Sequence, residues 1–262
     1  MLTKNEIKFI KSLHLKKNRD REKYFIIEGR RAVEEALNQN SNSKHTKNIE
    51  VVIITNEFAD KNSSFINQLN KLKIHCEPIS SKEMDQISDV ETNQGIIAKI
   101  KYFDYDIDEL IKNSTLKSNI VILDSISDPG NMGTIIRTAS WFGITGIIST
   151  NNCVSIYNTK LLRSTMGNVF NIPIFEIEDV KLIFDKLKQN NYTIFAADLE
   201  GRSYKEILYP DKKAIIFGNE AHGISNNIKN YIDTKITILK KGQGESLNVS
   251  VSAGIVIAHI MS

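Results

Sequence analysis

The run of residues from 236 to 262 constrains the possible fold more than any other stretch of this sequence. It begins as a strand at Ile236 and Ile238, turns at Gly242 and Gly244, and restarts at Ser246 as an apolar helix. The first turn of a helix leaves backbone N–H groups without intrahelical partners, and these groups attract ligands. A strand, a glycine turn and a helix start therefore predict a ligand site.

Three segments of the sequence are almost free of charge. From 242 to 262 the only Asp, Glu, Lys or Arg is Glu245, between 129 and 159 it is Arg137, and between 214 and 228 it is Glu220. The whole chain is 25% charged, so three long segments with one charge each are unusual. We predict that these three segments fold onto one site.

The order of apolar runs predicts two α/β domains. Residues 119–124 form a continuous apolar strand of the kind that is buried on both faces of a parallel sheet. Strands and helices alternate from there to the end, which predicts a mostly parallel sheet with ligands at the carboxyl ends of its strands. We expect a small α/β domain over 1–103, a linker over 104–118 and a second domain over 119–262.

Individual elements follow from periodicity and from glycine or polar breaks. The pattern predicts these helices: 4–15, 30–37, 58–72, 81–87, 131–142, 158–166, 180–189, 225–231 and a last one from 246. It predicts these strands: 24–29, 50–55, 74–78, 94–100, 119–124, 146–149, 172–175, 193–197, 214–217 and 236–238.

Charge and cysteine content narrow the class of protein. A net charge of +3 permits a nucleic-acid partner without requiring one. Cys76 and Cys153 are far apart and have no metal-ligand spacing, so we expect no metal, no disulfide framework and a cytoplasmic location. No signal peptide and no run of about 20 apolar residues is present, so no membrane partner is expected.

A basic cluster lies near the start of the sequence, between residues 16 and 23, with two acidic residues among its lysines and arginines. It is either a phosphate-binding edge or a solvated loop.

Arg137 is the most informative charged residue. It stands in a helix predicted to begin at Asn131, which is a good N-cap, and Gly133 allows close approach of another segment. A buried arginine needs a partner, because an unpaired buried charge is costly. That partner is either a structural carboxylate or a substrate phosphate.

The other two uncharged segments contain further candidates. The loop that begins at Gly218 follows an apolar strand, yet it lacks the Gly-Lys-Ser/Thr of a P-loop, and the glycines near 242 lack the dinucleotide fingerprint. Ser246 and Asn248 are either helix caps or groups that position a reacting hydroxyl. His222 has no nucleophile elbow beside it, so a hydrolase triad is disfavoured.

Three motifs then occur in a fixed order. They are NxGxxxRTA from Asn131, GNEAHGIS from Gly218 and SLNVSVSA from Ser246. In this order they resemble the SpoU, or TrmH, family of RNA 2′-O-ribose methyltransferases, and the resemblance covers 120–262. Residues 155–167 are also similar to the family, and the first hundred residues resemble an L30e-like substrate-binding domain.

The resemblance implies a C-terminal trefoil knot, a homodimer and S-adenosylmethionine as cofactor, held at Gly218, Ile238 and Leu247. It implies methyl transfer to a ribose 2′-OH, with Arg137 in the place of the proposed base. A guanidinium keeps its proton in proteins, so we interpret Arg137 as a clamp on the adjacent phosphate and a stabiliser of the developing alkoxide.

Four further residues, which the resemblance implies at the catalytic site, would position Arg137 and the ribose: Asn131, Glu220, Ser246 and Asn248.

Other interpretations remain open at this level. One is an RNA-binding relative without activity, and another is a nucleotide-dependent enzyme on a Rossmann fold. Within the family, the motifs do not separate ribosomal from transfer RNA. The L30e-like domain favours 23S ribosomal RNA, and guanosine is favoured by analogy alone.

Overall fold

The computed structural model describes residues 2–38, 48–112, 117–150 and 152–262. The chain forms two compact units. The first contains residues up to Asp104 together with 157–170, and the second contains 105–156 and 171–262. The polar loop predicted over 38–48 lies, apart from its ends, outside the described residues.

The first unit contains a four-stranded sheet in the order β1-β4-β2-β3. Its strands are β1 Tyr24–Glu28, β2 Ile49–Thr55, β3 Cys76–Ile79 and β4 Ile96–Lys101. β4 runs antiparallel to both β1 and β2, whereas β3 is parallel to β2. Its helices are α1 Lys4–Ser12, α2 Lys16–Glu22, α3 Arg30–Asn38, α4 Asn56–Lys61, α5 Ser63–Lys71 and α6 Ser81–Ile87.

Of two predicted helices in this unit, one is shorter in the structure and the other is divided. The predicted helix over 4–15 ends at Ser12, and α2 begins at Lys16. The predicted helix over 58–72 is interrupted at Asn62, whose side-chain amide donates to the carbonyl of Phe58 at 2.8 Å. A side chain that bonds the backbone of the preceding turn competes with the helix, which explains the break.

The basic cluster near residue 16 forms most of α2. Within it Arg19 is buried, and its guanidinium donates to the carbonyls of Leu13 and His14 at 2.9 and 2.6 Å. Lys16, by contrast, is exposed and pairs with Asp20. The cluster is therefore a helix and not a loop; most of its basic side chains are exposed to solvent, whereas Arg19 holds the turn between α1 and α2.

Residues 157–170 complete the first unit through aromatic contacts. They contain α9 Thr159–Thr165 and a short 3-10 turn, Asn168–Phe170. The ring of Tyr157 stacks on that of Tyr102 with centroids 3.6 Å apart, and the rings of Phe170 and Phe103 meet edge to face at 5.7 Å. Such buried aromatic pairs contribute area and geometry together, so the segment is an integral part of this unit.

The second unit contains a six-stranded sheet in the order β10-β8-β9-β5-β6-β7, and every pair of neighbouring strands is parallel. Its strands are β5 Ser118–Leu123, β6 Gly146–Thr150, β7 Ile174–Ile177, β8 Thr193–Ser203, β9 Lys212–Phe217 and β10 Thr234–Thr237. The prediction of an α/β fold with a mostly parallel sheet is confirmed.

Helices cover both faces of this sheet. They are α7 Ile107–Lys112, α8 Pro129–Trp141, α10 Val180–Gln189, α11 Asn226–Lys229 and α12 Val249–Ile260. Ile120 and Ile122 of β5 pack with α10 residues such as Phe184 in one buried cluster. Neighbouring side chains on a strand point to opposite faces, so Val121 and Leu123 face the other layer.

The start of α8 differs from the prediction in a way that matters for the site. Its N-cap is Asp128, whose carboxylate accepts the backbone N–H of Asn131 at 2.7 Å, and Pro129 occupies the first turn. Asn131 is therefore not the cap, as had been predicted. Because Asp128 caps the helix, the side chain of Asn131 is free to make other contacts.

β8 is also longer than predicted. The predicted strand ended at residue 197, whereas β8 continues to Ser203 and pairs with β10 across a register shift. A Cβ at Gly201 would lie 2.6 Å from the carbonyl oxygen of Lys235, so glycine permits this close approach of two backbones.

Two kinds of feature are absent from the described ranges. No helix within them is long and apolar enough to cross a bilayer. The described residues also contain no group of three His, Cys, Asp or Glu side chains that could hold a metal ion.

Candidate active site

The candidate site lies where β5 and β9 end side by side. Leu123 and Phe217 are partners in the parallel register, and the N–H of Asp124 donates to the carbonyl of Phe217 at 2.9 Å. The next residues of the two strands lead into α8 and into the loop 218–225, which we call the β9 loop. Parallel strands carry their ligand sites at this edge, so the sheet brings two of the uncharged segments together.

The third uncharged segment joins them through hydrogen bonds. The side-chain amide of Asn248 donates to the carbonyl oxygen of the Asn131 side chain at 2.9 Å. The amide of Asn131 in turn donates a short hydrogen bond to the carboxylate of Glu220. We call these three residues the amide–carboxylate triad. Each of the three uncharged segments supplies one member, so the segments meet as predicted.

The triad fixes the orientation of the Asn131 side chain. Its oxygen must face a donor and its nitrogen must face an acceptor, and Asn248 and Glu220 provide these in one arrangement only. The second oxygen of Glu220 is left for another partner, since the described residues make one hydrogen bond to this exposed carboxylate. The triad can therefore present a charged acceptor at a defined place.

Asn248 has two tasks at once. Its side-chain oxygen caps α12 by accepting the N–H of Ser250 at 2.9 Å and the hydroxyl of the same residue at 2.6 Å. Its nitrogen donates to Asn131. The interpretation of Asn248 as a helix cap is confirmed, and the same cap holds its side chain where it can donate to Asn131. Ser246 lies outside the helix, is exposed, and makes no hydrogen bond with the described residues.

The β9 loop is held in one shape by its own bonds. Asn219 and Gly223 exchange backbone hydrogen bonds of 3.0 and 2.9 Å. The side-chain oxygen of Asn219 also accepts the N–H groups of Ala221 and His222. A Cβ at Gly218 would lie 2.6 Å from the carbonyl of Gly223, which only glycine avoids. Glu220 therefore projects from a closed turn.

Arg137 is exposed on α8, not buried as we had predicted. Six residues separate it from Asn131, which places it about 9 Å further along the helix axis and roughly 120° around it. No carboxylate of the described residues lies within ion-pair distance of its guanidinium. A structural carboxylate within these residues is thus excluded as its partner, and the guanidinium can meet an anion from outside.

Of the predicted cofactor positions, Ile238 directly precedes and Leu247 lies within an exposed segment without regular secondary structure, residues 239–248, whereas Gly218 lies in the β9 loop. Leu247 is 48% exposed and Ile238 is half-buried. Leu239 and Leu199 are exposed as well, and the carbonyl of Leu199 accepts the hydroxyl of Thr237 at 3.1 Å. Several apolar side chains open to solvent at a strand edge are typical of a surface that an apolar ring covers.

The nearby thiol has a structural task. Cys153 accepts the N–H of Ile126 at 3.3 Å, and its own hydrogen points to the carbonyl of Leu123 at 3.3 Å. Burial raises the pKa of this thiol, although the hydrogen bond from Ile126 acts in the opposite direction. A thiol held protonated is a poor nucleophile, so covalent thiol chemistry is disfavoured here.

Sequence reasoning missed several residues of this region. Asp124, Asn219 and Leu199 were given no role. The signal for Asp124 was an acidic residue directly after a fully apolar strand, and that for Asn219 was its place at the next strand end. Their bonds reach residues that are distant in sequence, so no local pattern contains them.

Comparison with known proteins gives two matches to family profiles. Residues 118–258 match the SpoU rRNA Methylase family, and residues 4–98 match the MRM3-like substrate binding domain. The chain is 30% identical over 256 residues to the 23S rRNA (guanosine(2553)-2′-O)-methyltransferase RlmP of Bacillus subtilis, which covers 97% of this chain and 95% of that protein.

Solved structures agree with this fold. An AdoMet-bound rRNA methyltransferase from Sinorhizobium meliloti has a TM-score of 0.83 and 24% identity. The superposition covers 100% of this chain and 97% of the Sinorhizobium chain. The SpoU methyltransferase AviRb from Streptomyces viridochromogenes, in complex with AdoMet, has a TM-score of 0.85 and 19% identity, with 99% and 97% covered.

Proposed function

This chain belongs to the SpoU rRNA methylase family, and from this premise we propose that it transfers a methyl group from S-adenosylmethionine to a ribose 2′-OH of 23S ribosomal RNA. The observation that carries the proposal is the amide–carboxylate triad. It joins the three motifs of the family through hydrogen bonds between residues 131, 220 and 248.

We place S-adenosylmethionine against Gly218, Ile238 and Leu247. The fit rests on two features of this chain. The exposed apolar side chains around residues 238 and 247 can flank an adenine, and the irregular segment 239–248 has backbone groups that no helix or strand uses. When bound, the cofactor supplies a methyl group that is already activated on a sulfonium.

The chain must then orient the ribose hydroxyl and favour loss of its proton. Glu220 is held by Asn131, and its free oxygen can accept a hydrogen bond from a ribose hydroxyl. Ser246 has an unengaged hydroxyl in the same exposed segment, so it can position the ribose. Asn248 aligns Asn131 and caps the helix that follows.

Arg137 acts as a clamp on the phosphate next to the methylated ribose. Its guanidinium is exposed and makes no ion pair with the described residues, and a planar fork of donors matches two phosphate oxygens. The same positive charge stabilises the developing alkoxide. Because a guanidinium does not give up its own proton, Arg137 is not the group that accepts the proton of the ribose 2′-OH.

The substrate follows from two supports. The relative that is 30% identical over 97% of this chain is named for a guanosine of 23S rRNA, and the first unit matches a substrate-binding domain. We therefore favour 23S rRNA and a guanosine over tRNA. In this proposal residues 1–103 bind RNA, 104–118 link the domains, and 119–262 carry the chemistry. We place the enzyme in the cytoplasm, consistent with its two free cysteines.

We further propose a homodimer and a trefoil knot in the second domain. The dimer is supported by an apolar stripe on α12, where Val251, Ile255 and Ala258 follow one another at helical spacing and Val251 is 49% exposed. On α8, Trp141 is 85% exposed and lies one turn beyond Arg137. A second copy would cover these apolar side chains beside the catalytic residues.

The experiment that tests the function is a comparison of 2′-O-methyl sites in ribosomal RNA from cells with and without this protein. Loss of one site in 23S rRNA, restored by the wild-type chain, is the expected result. Arg137→Ala should bind S-adenosylmethionine normally by calorimetry yet fail to restore the site. Normal methylation by this variant would remove Arg137 from the mechanism, and no binding of the cofactor by the wild type would favour an inactive RNA-binding relative.

A further inference from the structure

Asp124 is a buried carboxylate that the proposed mechanism does not use. It follows β5 directly and is 1% exposed. One of its oxygens accepts the N–H of Ser225 at 2.7 Å, and the other accepts the hydroxyls of Thr150 and Ser125 at 3.2 and 3.3 Å. No lysine, arginine or histidine of the described residues forms an ion pair with it.

Burying a carboxylate without a nearby cation costs free energy unless hydrogen bonds compensate it. Three neutral donors satisfy it, and a hydrogen bond to an ionised acceptor is stronger than one between neutral groups. The bond to Ser225 spans 101 residues and reaches the far end of the β9 loop. A buried carboxylate at this edge of the sheet therefore accepts a hydrogen bond from the end of that loop.

A second bond holds the near end of the same loop. The side-chain amide of Asn219 donates to the carbonyl of Ser125 at 2.9 Å. Ser125 itself has a φ of +61°, a left-handed conformation that serine rarely adopts. Its N–H is held by the hydroxyl of Thr150 at 3.2 Å. Unfavourable backbone conformations persist where surrounding contacts determine them, and here one of those contacts, that of the Ser125 carbonyl, is with the loop.

We infer that Asp124 is a positioning residue, which together with Asn219 clamps both ends of the β9 loop to the end of β5 and keeps the loop in its cofactor-binding shape. Glu220 of the triad lies between the two tethered residues, and Gly218, against which we place the cofactor, directly precedes the first of them. Asp124 touches neither cofactor nor RNA in this proposal. It acts only through the backbone of Ser225.

This role predicts which kinetic quantity changes. Without the clamp the free loop samples other shapes, so binding of S-adenosylmethionine must also order it, and the affinity falls by the fraction of molecules in the competent shape. Once the cofactor is bound the loop is ordered again. Weakening the clamp should therefore raise Kd and KM for the cofactor far more than it lowers kcat.

The inference rests on the proposed function, so the measurements must distinguish a failure of the clamp from a failure of the proposed function. We would measure Kd for S-adenosylmethionine by calorimetry, kcat at saturating cofactor on 23S rRNA transcript, and Tm, all on the full chain. The variants are Asp124→Ala and Asp124→Asn. The matched control is Asp233→Ala, which removes a carboxylate that accepts the N–H of Ile194 at 2.8 Å where β8 begins, at the opposite edge of the sheet.

Asp124→Ala should raise Kd by about tenfold or more, as expected for loss of a bond to an ionised group, and change kcat by less than about threefold. Asp124→Asn should stay within about threefold of wild type, because its oxygen can accept from Ser225 while its amide donates to Thr150. Asp233→Ala should lower Tm and leave Kd unchanged. If Asp124→Ala does not fold, Asn219→Ala carries the same test.

A Kd for Asp124→Ala no larger than that of the control overturns the clamp, as does a fall in kcat without a rise in Kd. A tenfold loss of affinity in Asp124→Asn overturns the hydrogen-bond geometry on which it rests. These results leave the proposed function intact, because wild-type binding and methylation are measured in parallel. A wild-type chain that neither binds the cofactor nor methylates RNA rejects the function itself.

Discussion

Replacing Asn131 by aspartate tests the amide–carboxylate triad with almost no change in shape. The substitution removes the donor that faces Glu220 and sets a second carboxylate in its place. Loss of a hydrogen bond to a charged acceptor costs about 1.5 to 3 kcal/mol. Two carboxylates about 4 Å apart add about 1 to 4 kcal/mol of repulsion, and the lower part of that range applies because Glu220 is exposed.

The repulsion depends on pH with a definite sign. A like charge nearby raises the pKa of the introduced carboxyl above its ordinary value of about 3.9 in the folded state. At low pH the introduced carboxyl is protonated in both the folded and the unfolded protein, so the destabilisation by charge repulsion is smallest there. This destabilisation grows as pH rises from about 4 to the raised pKa. At pH 5.5 a proton can be taken up for roughly 2 kcal/mol, and the neutral carboxyl can then donate to Glu220.

Single-turnover methylation from pH 5.5 to 8, divided by the wild-type rate, measures the effect. Asn131→Ala is the internal reference, because it removes the hydrogen bond without adding charge. At pH 8 we expect Asn131→Asp to be slower than Asn131→Ala by about tenfold, and at pH 5.5 to equal or exceed it. Asn158→Asp controls for added charge, since Asn158 caps α9 with its oxygen and aspartate can do the same. Parallel pH profiles for the two Asn131 variants would refute the reasoning.

Three further changes have outcomes that the structure sets. Gly218→Ala places a Cβ 2.6 Å from the carbonyl of Gly223, so the β9 loop must shift. We expect urea unfolding to show a loss of stability of about 1 to 3 kcal/mol, and calorimetry to show weaker cofactor binding. Unchanged cofactor binding would contradict this packing. Asp198→Asn breaks the 2.7 Å ion pair with Lys235. Burial alone would raise the pKa of Asp198, yet the hydrogen bond from Lys235 lowers that pKa overall, so a stabilisation of about 0.5 kcal/mol is present at neutral pH and disappears as pH falls through the lowered pKa. A difference in stability between variant and wild type that persists at pH 2 would contradict this origin. Val251→Glu places a charge on the exposed stripe of α12 and should yield monomers by sedimentation. Leu182→Glu on α10, a site of equal 49% exposure, should leave the dimer intact. Dimers in both variants would show that the interface does not include the α12 stripe.

Much of the second unit could be predicted because its signals are local. The continuous apolar run from Ile120 to Leu123 marks a buried parallel strand, and the glycine breaks mark the edge of the sheet where ligands bind. The members of the triad lay in three segments with one charge each, so composition alone brought them to one site. Resemblance then supplied their chemistry.

The wrong predictions have two origins: local signals on α8 that were given too little weight, and a strand pairing between residues that are distant in sequence. Asp128 rather than Asn131 caps α8, because a proline at the next position favours a helix start there. Arg137 was expected to be buried because its neighbours are apolar, yet apolar neighbours on α8 face the sheet while Arg137 faces outward. The length of β8 depends on pairing with β10, which lies more than 30 residues later.

The aromatic packing of Tyr157 and Phe170 has a consequence for anyone who wishes to cut this protein into parts. The backbone passes between the two units three times, after residues 104, 156 and 170, so neither half is a continuous cassette. A fragment that stops at residue 104 would leave the rings of Phe25, Tyr102 and Phe103 without their covering partners and should aggregate. A fragment of either unit must therefore be assembled from two separate stretches of the sequence.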